Sequence, residues 1–144
     1  PLTARQTGSK NVFMNVLTDY AAEVLLLIFL VITFIQSGLD KLLDWKGNLT
    51  WLSDHFSQTP FKTFVPTLFI VLTIMELAAG ILCGIGLIQL LLGSGNNLAF
   101  LGALVSCLVL LMLLFGQRIA KDYEGARTIV VYFIPAIFLL FLLQ

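Results

Sequence analysis

Glu76 is the residue of this sequence with the most chemistry to offer, because of where it stands. It lies nine residues into an apolar run over residues 67–92, ~13 Å along a helix, close to the middle of a ~30 Å hydrocarbon layer. A carboxylate at that depth costs several kcal/mol unless it is paired or protonated. Two roles are open to it. As a functional group it could take up a proton or cation, or hold the polar head of a quinone-like molecule. As a structural group it could be protonated or hydrogen-bonded and knit helices together, with Gln36, Ser106, Thr73 or a basic residue as partner.

Two polar clusters end helices on the same side of the bilayer. Gln36-Ser37-Gly38-Leu39-Asp40-Lys41 closes the first apolar run, and Gln117, Arg118, Lys121, Asp122, Glu124 and Arg127 follow the third. Lys41 can snorkel from the end of its helix toward the headgroups. Arg118 and Asp122 are spaced i, i+4 and can pair on one helical face. Each cluster alone reads as a charged rim anchoring helices. Together, on one side of a bilayer, Gly38, Asp40, Lys41, Arg118, Lys121 and Asp122 suggest a docking surface, and Gln36, Lys41 and Glu76 a polar pocket for a quinone or lipid headgroup.

Other residue types point to packing. Glu76, Gly80 and Gly84 share one helical face, and Gly80–Gly84 is a GxxxG pair that admits another helix closely; Gly102 offers the same on the third run. Cys83 and Cys107 lie in apolar stretches with no CxxC, so they read as small buried hydrophobes, and a redox dithiol only if they face each other. The single histidine, His55, completes no metal-ligand spacing and reads as an interfacial aromatic.

The elements that must position these residues follow from composition. Of 144 residues 59% are hydrophobic and only 11% charged, against ~25% charged in a soluble domain. So short a chain cannot hide that much apolar surface from water. Eight basic residues balance eight acidic ones, so no positive field exists for nucleic acid to follow. A soluble enzyme, a nucleic-acid binder and a disordered chain are excluded. Apolar runs at residues 20–37, 67–92, 98–115 and 128–143 have the lengths of membrane-crossing helices. They lack the alternation of barrel strands. The expected architecture is an all-α four-helix transmembrane bundle forming one domain over residues 1–144. Pro135 should kink the last helix.

The first loop, residues 38–63, carries Leu49, Leu52 and Phe56 at helical spacing beside Trp45 and Trp51. It is expected to lie along the membrane surface with its indoles at headgroup depth. Val12, Phe13, Val16 and Leu17 suggest a second interfacial piece in the N-terminal tail. Six of the eight cations, Lys41, Lys46, Lys62, Arg118, Lys121 and Arg127, fall in loops one and three, against Arg5 and Lys10 on the other side. By the positive-inside rule those loops are cytoplasmic.

These residues carry a resemblance. The ending Ser37-Gly38-Leu39-Asp40-Lys41 is similar to the G-x-x-K close of the first helix in DoxX-like membrane proteins. Glu76-Leu77-Ala78-Ala79-Gly80, followed by Gly84 and Gly86, resembles that family's second helix. Length and four-helix hydropathy agree over nearly the whole chain. The resemblance implies a bacterial inner-membrane protein from a group associated with redox and respiratory complexes, including small subunits of thiosulfate:quinone oxidoreductases. It singles out Gly38, Lys41 and Glu76. The sequence holds no cofactor motif of its own, so the leading expectation is an accessory subunit that contacts other membrane subunits and lipid or quinone. The alternatives are a quinone-linked oxidoreductase component with Glu76 relaying a proton, and a small proton-coupled transporter that self-associates through Gly80 and Gly84.

Overall fold

Unbroken apolar runs leave the backbone in lipid one local way to satisfy its polar groups, the helix. The computed structural model of the chain describes residues 2–144, with side chains described from residue 8 onward. Arg5, counted above for orientation, therefore has its side chain outside the described residues. The helices are α1 (Leu2–Asp19), α2 (Ala21–Leu43), α3 (Trp45–His55), α4 (Val65–Leu91), α5 (Asn97–Ile119) and α6 (Tyr123–Leu143). Among the described residues there is no strand. Among them too, α2, α4, α5 and α6 are long and apolar enough to cross a membrane. The chain is a multi-pass membrane protein built as a four-helix bundle, as its hydropathy predicts.

Small residues set the packing. α4 lies between α2 and α5, and α6 covers α5 and closes the ring onto α2. A Cβ at Gly86 would strike the backbone of Ala99, and one at Gly102 would come within 2.7 Å of the Cys83 nitrogen. α4 and α5 therefore meet almost backbone to backbone. On the other side Gly80 makes room for Ile35 of α2, and Gly38 of α2 makes room for Leu77. Of the GxxxG pair only Gly80 is needed, since a Cβ at Gly84 would find nothing nearer than Val31 at 3.9 Å. The close-packing glycine that sequence reading missed is Gly86.

The helices outrun the apolar stretches that announced them. α2 continues through Gly38, Asp40 and Lys41 to Leu43 rather than stopping at residue 37. α5 reaches Ile119 and α6 begins at Tyr123. Hydropathy marks where side chains leave oil, whereas a helix persists until a cap ends it. Asp44 is such a joint: its carboxylate accepts from Gly47 N (3.2 Å) and starts α3. Asp122 does the same for α6, accepting from Gly125 N at 2.9 Å, after Lys121 turns the chain with φ 58°. α6 runs through Pro135 without a break.

The α4–α5 turn uses Gly93 and Gly95 at φ 70° and 110°, a conformation that a side chain disfavours. Gln89 Oε1 accepts from Leu98 N (3.1 Å) across it. α1 rests at this end, with Val16 buried and Val12 beside Gly93. At the opposite end α3 covers the start of α4 and the end of α5. Its Leu49, Leu52 and Phe56 are half-buried and Trp51 is exposed. Trp45, half-buried, packs its ring 4.3 Å from that of Phe69 of α4.

Candidate functional site

Glu76 is 2% exposed and forms an ion pair with Lys41, Nζ to Oε2 2.9 Å, whose side chain is 16% exposed. Ser37 completes the group. Its hydroxyl accepts from Lys41 Nζ at 2.8 Å and lies 3.3 Å from both Glu76 oxygens, to which it can donate. Ser37 and Lys41 are four residues apart and share a face only because α2 continues to Leu43. Gly38, between them, lets α2 come against Leu77, the neighbour of Glu76. The pair is thus held where two helices touch.

Glu76 lies near the middle of α4 (Val65–Leu91). It stands opposite the last turns of α2, because the first turns of α4 extend past the end of α2: Gly38 faces Leu77 and Ile35 faces Gly80. The carboxylate is thereby within reach of a lysine near the end of α2. A buried charge is tolerable when it is paired and hydrogen-bonded; here Lys41 supplies the pair and the Ser37 hydroxyl one further hydrogen bond.

Lys41 also lines a chamber of about 340 Å³ between α3, the start of α4 and the end of α5. Its walls are Trp51, Leu52, Phe56, Phe61, Phe69, Met112, Leu113 and Phe115, with Asn48, His55 and Gln117 adding polar atoms beside Lys41. His55 stacks on Trp51 with ring centroids 4.6 Å apart. Its Nε2 hydrogen-bonds Gln117 Oε1 at 2.8 Å and lies 3.7 Å from Asp122 Oδ2. α3 is therefore tied to the α5–α6 corner through one imidazole. An apolar cavity with a few convergent polar groups is the usual form of a small-molecule site.

Several expected site residues lie elsewhere. Gln36 is exposed on the outer face of α2 and does not approach Glu76, since one residue turns a helix by ~100° away from Ser37. Ser106 donates to Gly102 O (2.7 Å) and Thr73 to Phe69 O (2.8 Å), so neither serves the carboxylate. Arg118 does not pair with Asp122. The helix breaks between them, Arg118 lies over the Tyr123 ring at 4.8 Å, and Asp122 caps α6. Asp40 and Lys121 are exposed. Lys41 of the first polar cluster and Gln117 of the second both line the chamber. Cys83 and Cys107 are buried free thiols, Cys83 lying 3.6 Å from the Ser106 hydroxyl. Among the described residues no three His, Cys, Asp or Glu side chains gather to hold a metal.

Sequence reading missed Ser37 as a partner of Glu76 and the His55–Gln117 bond. The i, i+4 spacing of Ser37 and Lys41 was the available signal for the first. The second joins residues 62 positions apart and has no local signal. No family model, no curated protein and no solved structure matches the chain.

Proposed function

We propose that the protein is a DoxX-like accessory subunit of a redox, respiratory or envelope complex in the bacterial inner membrane, and that its chamber receives the head of a quinone or lipid. The observation that carries this reading is the chamber itself. It is aromatic and apolar over most of its wall, and its polar lining comprises Lys41, Asn48, His55 and Gln117. An amphiphile with a hydrogen-bonding ring or headgroup and a hydrocarbon tail matches that division. The resemblance at Gly38, Lys41 and Glu76 supports a role beside other membrane subunits. The six-to-two split of basic residues favours cytoplasmic loops one and three.

Trp51 lines the chamber and reports on occupancy. In lipid nanodiscs a short-chain quinone is expected to quench its fluorescence saturably, and Leu113→Trp, which fills the chamber, to abolish the saturable component. Co-purification of a larger membrane complex in mild detergent is the companion result. Linear, non-saturable quenching together with isolation of a solitary protein would refute the reading.

A second reading rests on the hydrogen-bonded link from Glu76 through Ser37 to Lys41. It leads from the buried carboxylate to the chamber wall: if the Lys41 ammonium gives a proton to a bound quinone in an oxidoreductase complex, Glu76, once protonated, can return one to the neutral amine directly or through Ser37. Glu76→Gln should then leave quinone binding intact and stop turnover of the complex. Unchanged turnover removes this version and leaves the first standing.

A further inference from the structure

The outer face of α2 carries a polar group that the bundle does not use. Gln36 is exposed, seven residues or about 10 Å from the end of α2, level with Ile35 where that residue fills the space at Gly80 in the middle of α4. It lies within a helix long and apolar enough to cross a membrane. No hydrogen bond to the Gln36 amide forms among the described residues, although other polar side chains of the spans find partners within the chain. Thr33 donates to Phe29 O (2.8 Å), Thr73 to Phe69 O (2.8 Å), Ser106 to Gly102 O (2.7 Å), and Gln89 accepts from Leu98 N (3.1 Å). An amide left without partners in lipid costs several kcal/mol.

The residues around it form a pattern. Leu25, Phe29, Ile32, Gln36, Leu39 and Leu43 recur at alternating steps of four and three, the seam of a left-handed coiled coil with Gln36 at a central a position. This stripe lies opposite the buried face of α2, made by Leu27, Leu30, Phe34 and Gly38. Leu25 is 66% exposed, Ile32 64% and Leu43 85%; Phe29 alone is partly covered, stacked on Tyr132. Asp40 flanks the seam, one turn nearer the helix end.

We propose that this seam pairs with the same seam of a second copy of the chain, α2 against α2 about a two-fold axis along the membrane normal. The amide is the argument for that occupant. It carries both donor and acceptor and is complementary to itself across a two-fold axis, where each Gln36 donates to the other. A single polar residue in an otherwise apolar seam sets register and partner number, and glutamine hydrogen-bonds between helices in membranes. Equally exposed faces of α4 and α6, around Ile74 and Val131, carry no such group. The inference is independent of what the chamber binds.

Oxidative cross-linking of the full chain in native membranes tests it. Cys83 and Cys107 are buried, so single cysteines introduced at lipid-facing positions report alone. Ile32→Cys and Leu39→Cys are expected to give a species of twice the monomer mass, while Ile74→Cys and Val131→Cys stay monomeric. Gln36→Leu should weaken self-association in nanodiscs about threefold to thirtyfold, with Gln36→Asn retaining most of it and neither variant changing the midpoint of monomer unfolding. Equal cross-linking at all four positions, cross-links to a different protein, or self-association indifferent to Gln36→Leu would each overturn the proposal.

Discussion

Lys41 and Glu76 can be understood only as a pair. Placing a carboxylate at 2% exposure is unfavourable, and the lysine, through its own contact and through Ser37, is what makes it tolerable. Removing one partner should therefore do more harm than removing both. Lys41→Met is expected to cost about 3–5 kcal/mol, because it strands a buried carboxylate, while Lys41→Met with Glu76→Leu should fall within about 1 kcal/mol of the parent. Unfolding in mixed micelles with increasing dodecyl sulfate measures all the terms; additive losses would show that the pair is not coupled. At this scale the sequence was half legible. A carboxylate inside an apolar run advertises itself and demands a partner. Which partner it takes depended on α2 continuing past residue 37, and hydropathy cannot report that, because Gly38, Asp40 and Lys41 look like a loop to any scale that ranks oil against water.

Helices in this bundle approach according to where glycine permits it. Gly86 and Gly102 bring α4 and α5 nearly backbone to backbone, while Gly38 and Gly80 admit one side chain each from the facing helix. Gly86→Ala is expected to destabilise the bundle by about 1–3 kcal/mol, since the added methyl meets the Ala99 backbone and only a helix shift relieves it. Gly84→Ala, with Val31 at 3.9 Å, should be neutral within about 0.5 kcal/mol. Thermal unfolding of the two variants in the same detergent separates them, and equal effects would contradict the packing described. The GxxxG pattern marked the right helix and the wrong second glycine. Spacing says that two positions share a face, but not how near the neighbouring backbone comes along that face.

For the whole molecule, α1 with the Gly93–Gly95 turn and α3 with the chamber occupy opposite ends of the bundle, so the two membrane faces differ in kind. Thr50→Cys and Ser94→Cys, both at exposed sites, should react with a membrane-impermeant maleimide from opposite sides. In intact spheroplasts Ser94→Cys is expected to label and Thr50→Cys to label only after lysis; the reverse pattern would invert the proposed orientation. Composition and run length by themselves determined the solvent and the four crossings, because each follows from the cost of exposing backbone and charge to hydrocarbon, a local property of the chain. The amphipathic segments at residues 12–17 and 49–56 were legible for the same reason. Only the tertiary structure decided that Lys41 and Ser37 would meet Glu76, that His55 would fasten α3 to Gln117, and that Gln36 would face outward. Those outcomes depend on the rotation and depth of each helix against its neighbours, and they are set by glycine contacts and caps distant in sequence from the groups they bring together.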